Sequence, residues 1–347
     1  MKKIFFCTYM CLAFNTLFSQ NPEDILTNLN FPTSLTIIGD DLYFSQIDGS
    51  INKIDITESN PNISSVATGF STILALANDG SSLYITENGA GEISSYNLND
   101  SSSSTLINNL SDPRGLGVYQ NKLYYAEWLN GTISEINISS PSSPNTIISS
   151  SLGYTPILIN GSKLYYSSHF ENNISVIDLA QPNPVPSVVV SVPSNLFGLA
   201  MIGDELFFSQ ESGKVSKIDV TENSPAIEDV ITDLGSNNPY GMVSSGDDLY
   251  VALSTTGKII RYSTNNNLST TEFESTDNVL VYPNPVNNKL IIESSDTISK
   301  VIVINQIGQR VITSNTSEIN LSTLENGFYM LIIHNEFGSI TKKIFKN

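Results

Sequence analysis

Asp41-Leu42-Tyr43-Phe44-Ser45 is the stretch on which the fold turns, because it comes back five more times. It returns as Ser82-Leu83-Tyr84-Ile85-Thr86, Lys122-Leu123-Tyr124-Tyr125-Ala126, Lys163-Leu164-Tyr165-Tyr166-Ser167, Glu205-Leu206-Phe207-Phe208-Ser209 and Asp248-Leu249-Tyr250-Val251-Ala252. A supersecondary unit repeated at a fixed period near 40 residues defines a repeat architecture.

Outward from that anchor each copy keeps one grammar. An apolar stretch precedes it, such as Leu35-Thr36-Ile37-Ile38 or Gly198-Leu199-Ala200-Met201, followed by a tight turn at Gly39-Asp40, Asp79-Gly80, Gly161, Gly203-Asp204 or Gly246-Asp247. After the anchor comes an alternating segment with one buried face, such as Ile51-Asn52-Lys53-Ile54-Asp55-Ile56 or Val215-Ser216-Lys217-Ile218-Asp219-Val220. A weaker fourth strand ends the unit, as at Ser64-Ser65-Val66-Ala67. Four short antiparallel strands per unit make a blade, and six blades close into a β-propeller.

Closure is itself written in the chain. After Lys258-Ile259-Ile260-Arg261-Tyr262 no fourth strand follows, yet Glu23-Asp24-Ile25-Leu26-Thr27-Asn28-Leu29 closely repeats the fourth-strand segment Glu228-Asp229-Val230-Ile231-Thr232-Asp233-Leu234. The N-terminal segment is therefore expected to complete the sixth blade. With its repeat length and its Leu-Tyr-Tyr-Ser strand, the region 23–263 resembles six-bladed propellers of the NHL and YWTD type. More loosely it resembles gluconolactonase-like and strictosidine-synthase-like enzymes. The resemblance implies a fold, not an activity.

Lys2 and Lys3 precede an apolar run from Ile4 to Phe18, and Leu17-Phe18-Ser19 offers a cleavage site before Gln20, so residues 1–19 read as a secretory signal peptide. Both cysteines, Cys7 and Cys11, fall inside it, which leaves the processed chain without disulfide or thiol chemistry. No other stretch is long and apolar enough to span a bilayer. The 34 acidic against 16 basic residues, net -18, with no basic patch, exclude nucleic acid as a partner.

The domain division reads as 20–263 for the propeller, 264–277 for a polar linker and 278–347 for a small β-sandwich, giving an all-β protein throughout. The last domain carries Tyr282-Pro283-Asn284-Pro285-Val286, then Asn305-Gln306-Ile307-Gly308-Gln309-Arg310-Val311, then Leu321-Ser322-Thr323-Leu324-Glu325-Asn326-Gly327-Phe328-Tyr329 and the closing Lys342-Lys343-Ile344-Phe345-Lys346. In that order and place they resemble the C-terminal sorting domain of the type IX secretion system. Tyr282, Pro283, Asn284, Pro285, Gly308, Gly327, Tyr329, Lys342 and Lys343 carry the match. The resemblance implies export across the outer membrane by the type IX machinery, to the extracellular space or the cell surface. A carbohydrate- or cell-binding sandwich is the alternative reading.

Ligand contacts are expected on the face shared by the loops before the first strand and after the second. The first loops offer Phe31, Phe70, Arg114, Tyr154, Phe197 and Tyr240, read as one large side chain per blade in register, with Phe70 and Phe197 also suited to wedging neighbouring blades. The second offer Gln46, Glu87, Glu127, His169, Gln210 and Ser254, with the only tryptophan, Trp128, beyond them. Aromatic and polar groups converging on a funnel suit a glycan, peptide or small molecule. Catalytic material is sparse: Glu87 and Glu127 form the one acid pair, suited to acid-base work or to a divalent cation, and His169 is the propeller's only histidine. Gluconolactonase-like enzymes hold a metal-binding Glu where this chain has Phe31-Pro32-Thr33-Ser34, which counts against a lactonase site. Two functions follow as expectations: a secreted or surface binding propeller without a cofactor, or a metal-assisted hydrolase or lyase built on Glu87, Glu127 and His169.

Overall fold

The computed structural model describes residues 22–141, 143–149, 153–235, 238–264, 279–294, 297–305, 310–335 and 338–347. The segments read as a signal peptide and, nearly entirely, as a linker, together with Gly308, lie outside them. The chain divides into two compact units, 1–266 and 267–347.

The first unit is a six-bladed β-propeller. Each blade is an antiparallel four-stranded sheet in sequence order, at residues 32–67, 73–107, 113–149, 154–191 and 196–231. The sixth contains Pro239–Ser245, Asp248–Leu253 and Lys258–Ser263, and takes Glu23–Leu26 as its outermost strand. The innermost strands touch their neighbours around the whole ring, that of blade six meeting that of blade one.

The anchor repeat explains the packing. Successive side chains of a strand point to opposite faces, and each second strand is covered on both. Leu42 and Phe44 pack with Tyr250, Ala252 and Ile259 between blades one and six, whereas Tyr43 packs with Ile73, Leu83 and Ile85 between blades one and two. Each of the six blade interfaces carries one such apolar cluster. That double burial is why the repeat reads as a continuous apolar run rather than an alternation.

The seam is closed as the sequence predicts. Glu23 pairs with Arg261, Asp24 with Ile260 and Leu26 with Ile259. Leu26 is buried in the cluster between blades six and one. Asp24 and Glu23 form ion pairs with Lys258 and Arg261, both at 2.6 Å. The Leu29 N–H donates to the Gly257 carbonyl at 2.9 Å, repeating the bonds from Phe70 to Gly49 and from Leu110 to Gly91 that link successive blades elsewhere. Gly257 sits at φ +63°, where a Cβ would lie 2.3 Å from the Leu29 carbonyl oxygen. Its glycine is therefore required at the seam.

The second unit is a β-sandwich with one three-stranded and one four-stranded sheet. Its core holds Val279, Val286, Leu290, Ile292, Val301, Val303, Ile319, Leu321, Leu331, Ile333 and Ile344. One strand, Glu318–Asn320, was not singled out by sequence pattern. At three residues it is too short to show a period.

Candidate functional site: the propeller mouth and the sorting domain

In every blade the loop entering the inner strand is hydrogen-bonded to the loop leaving the second strand. The N–H groups of Ile47, Asn88, Trp128, His169, Glu211 and Ser254 donate to the carbonyls of Phe31, Thr72, Asp112, Gly153, Asn195 and Asn238 at 2.9–3.2 Å. The two loop sets thus share one face, and the bonds fix which positions ring the mouth.

Those positions differ from the sequence reading in two respects. The residues opposite the first inner-strand position are Gln46, Glu87, Glu127, Ser168, Gln210 and Leu253. His169 and Ser254 belong one residue further on, so the expected set mixed two registers. A bulge then inserts an extra residue into each inner strand. Measured from it, Arg114, Phe197 and Tyr240 share one position, equivalent to Thr33, Leu74 and Thr155. Tyr154 and Phe31 precede that position by one and two residues and Phe70 by four, so the large side chains are not in register. The side chain of Tyr154 lies outside the described residues.

Glu87 and Glu127 are buried and act as latches. Ser71 N–H donates to Glu87 Oε2 at 2.9 Å and Ser94 Oγ to Oε1 at 2.6 Å. Ser111 N–H and Asn130 Nδ2 donate to Glu127 Oε1 at 2.8 and 2.9 Å, and Thr132 Oγ1 to Oε2 at 3.2 Å. Gln46 does the same in blade one, its Oε1 accepting from Asn30 N–H at 2.6 Å. Gln210 is buried and donates to Ser216 Oγ at 2.6 Å. Each side chain bonds within its own blade, and Gln46, Glu87 and Glu127 supply an N–H of their entry loop. In blade four the latch position is Ser168, whose buried hydroxyl has no partner among the described residues. Recurrence of Glu or Gln just after the anchor was the readable signal for this role. Among the described residues no three His, Cys, Asp or Glu side chains converge, and the Glu87 and Glu127 carboxylates each accept bonds from their own blade.

What remains at the mouth is aromatic. Arg114, Phe197 and Tyr240, with Thr33 and Leu74, line an axial cavity of about 260 Å³. On one side Phe197 stacks on Tyr240, with centroids 4.6 Å apart and planes 7° apart, and Phe31 tilts against Tyr240 at 6.4 Å. Phe70 instead packs edge-on against Tyr96 between blades one and two. On the other side the Arg114 guanidinium lies 4.1 Å from the centroid of the Trp128 ring and is held bidentately by Asp112, both bonds at 2.9 Å. Asn88 Nδ2 also donates to Asp112 Oδ1. His169 meets Trp128 edge-on at 5.0 Å, and Phe170, exposed, continues the strip at 5.2 Å from His169. Gly153 makes room for this: at φ +99°, an added Cβ would lie 3.1 Å from both His169 Cβ and the Phe170 ring.

In the second unit the expected motifs meet. Asn284 Nδ2 donates to the Lys343 carbonyl at 3.0 Å and its Oδ1 accepts from Phe345 N–H at 2.8 Å, so the Asn284 carboxamide pairs with the last strand as a backbone residue would. Val286 extends this pairing, bonding to Phe345 and Asn347 at 2.8 and 2.9 Å. Pro283 and Pro285 flank Asn284. Tyr282 Oη donates to Glu293 Oε2 at 3.2 Å and Tyr329 Oη to the Glu325 carbonyl at 2.9 Å. Gly327 opens the strand that pairs with the last one, in which Lys342 faces Leu331 and Lys343 faces Met330. Lys343 Nζ lies 4.4 Å from the centroid of the Phe328 ring.

Residues 280–347 match the secretion system C-terminal sorting domain. A search of curated protein sequences finds no match. Among solved structures, the chain is similar to one in the nidogen/laminin complex, at 15% identity and TM-score 0.56, covering 65% of this chain and 89% of that one. It is also similar to an auxiliary nutrient binding protein from Bacteroides thetaiotaomicron, at 13% identity and TM-score 0.55, covering 67% and 69%. A virginiamycin B lyase from Staphylococcus aureus, solved with quinupristin, is similar at 16% identity and TM-score 0.52, covering 93% and 98%. At these identities the likeness is one of fold alone.

Proposed function

We propose that this chain, which ends in a type IX sorting domain and is thereby addressed to the cell surface or extracellular space, is a binding module that recognises its ligand at the propeller mouth. The leader, residues 1–19, takes it across the inner membrane, and the last domain engages the type IX machinery. No helix among the described residues is long and apolar enough to cross a membrane. One observation carries the binding reading: Arg114, Phe197 and Tyr240 stand at one repeat position around the cavity, flanked by Phe31 and by the Trp128, His169 and Phe170 strip. Concave sites with aromatic walls and a few oriented polar groups are those that hold small ligands. The hydrolase or lyase alternative rests on Glu87, Glu127 and His169. Two of these three are engaged as loop latches.

The test is an array of extracellular glycans and peptides probed with the full chain and with an Arg114→Ala/Tyr240→Ala variant, melting temperatures being measured in parallel. Signals lost in a variant that still melts as the wild type does support the mouth. Signals equal in both proteins, or absent from both, refute it.

A further inference from the structure

We propose that the ligand of the mouth is an uncharged saccharide; this rests on the reading of the mouth as the binding site. Charge is the first argument. Among the described residues of the rim strip the one Lys or Arg, Arg114, is closed into a bidentate pair with Asp112 and stacked over Trp128. An anionic ligand would meet a guanidinium whose charge Asp112 already balances, in a protein of net charge -18. A cationic ligand would meet several carboxylates already shared with the protein's own donors. Glu87 and Glu127 are latched, Asp48 accepts from Asn30 Nδ2 and Ser50, and Glu211 accepts from Asn195 Nδ2. Breaking such bonds to ionised groups is costly.

The second argument is the mixture of surfaces left open. Phe170 and Phe31 present 59% and 36% of their area to solvent beside Trp128 and Tyr240, respectively. The apolar C–H face of a pyranose ring covers such area. Among the described residues neither Tyr240 Oη nor the His169 ring nitrogens have a hydrogen-bond partner, and Arg114 has three N–H groups beyond the two given to Asp112. Donors and acceptors interspersed with aromatic faces match hydroxyls, which do both. A purely apolar ligand would leave them unpaired on burial. A peptide bound by strand addition needs an open backbone edge, and at this rim the loop-to-loop bonds already occupy those groups. The cavity, about 260 Å³, exceeds the ~150 Å³ that accepts benzene, so its volume suffices for one sugar ring, the rest of a chain lying on the rim.

Trp128 is the only tryptophan, so its emission in the full chain reports this site alone. The probes are the hexasaccharides of cellulose, maltose, xylan, mannan and N-acetylated chitin, against hexagalacturonate, chitosan hexamer and an uncharged tyrosine-containing decapeptide. At least one neutral hexasaccharide is expected to move the emission saturably, with a Kd changing less than twofold between 0.05 and about 0.5 M salt. Tyr240→Phe, which removes one hydroxyl, should weaken it about two- to tenfold by calorimetry without lowering the melting temperature. No response to any neutral hexasaccharide by either method overturns the proposal. If the decapeptide or a charged oligomer responds instead, only the assignment to an uncharged saccharide falls and the mouth remains the site. If Trp128 is silent to every probe while array signals survive Arg114→Ala/Tyr240→Ala, both fall.

Discussion

Leu26→Ala should loosen the propeller more than removal of both ion pairs at its seam. Leu26 is buried against Leu35, Leu42 and Ile259, where truncating a leucine to alanine costs about 2–5 kcal/mol. As the closing strand has only four residues and an open outer side, the lower half of that range applies, about 2–3 kcal/mol. The pairs of Glu23 with Arg261 and Asp24 with Lys258 have carboxylate side chains 61% and 46% exposed. Such surface pairs contribute about 0–1 kcal/mol each. For a domain of this size each kcal/mol moves the melting temperature by roughly 2–4 °C. Leu26→Ala should therefore melt about 4–12 °C lower, and Glu23→Gln/Asp24→Asn about 0–8 °C lower at low salt. Circular dichroism melts at 0.05 and about 0.5 M salt separate the terms, because screening abolishes the second effect and leaves the first. Equal losses, or a Leu26→Ala effect that vanishes with salt, would refute a seam held by burial. So would full stability after deletion of residues 22–30.

Other outcomes follow from the same geometry. Glu87→Gln should fold as stably as the wild type, since Gln46 makes the equivalent bond, whereas Glu87→Ala should lose about 1–3 kcal/mol in a urea titration. A hydrolase or lyase reading instead requires that Glu87→Gln abolish turnover of some substrate. Gly153→Ala forces a Cβ against His169 and Phe170, and should shift Trp128 emission with only a modest change in melting temperature. At high pH, burial is the largest cause raising Tyr125, pushed up to about 12, with the Glu127 charge adding to it; burial likewise raises Tyr84, Tyr124, Tyr165 and Tyr250. A folded-state pKa above the unfolded value near 10 gives stability that is whole below pH ~10 and lost as pH climbs through the folded value. Alkaline unfolding should then steepen above pH ~10, and Tyr165→Phe should soften it; an unchanged slope counts against burial as the cause. In the sorting domain, Asn284→Ala removes both bonds to the last strand and should lower export of a reporter fused to residues 279–347 in a type IX host, measured by cell fractionation.

The ring was legible because its signal repeats. Six copies of Leu-aromatic-x-Ser/Thr/Ala and a fourth-strand look-alike at Glu23 fixed the blade count and the seam, each copy checking the others. The mouth was less legible because its positions are set by features smaller than the repeat. A one-residue bulge in each inner strand and entry loops of unequal length shift Phe31, Phe70 and Tyr154 out of the register that Arg114, Phe197 and Tyr240 share. Glu87 and Glu127 looked chemically available because a lone sequence does not show that Ser71 and Ser111 turn their N–H groups toward them.

The seam also orders events in time. Asp24 and Lys258 stand 234 positions apart, against 12 for a bond such as Lys53 to Asp41 inside a blade. At about 0.6 kcal/mol per doubling of a loop, joining them carries roughly 2.5 kcal/mol more chain entropy than forming a hairpin. Residue 24 precedes 258 in the chain, so the earliest strand has no partner until Lys258–Ser263 has formed. Until the circle closes, the Lys258–Ser263 strand keeps an unpaired edge and the apolar faces of blades six and one stay uncovered.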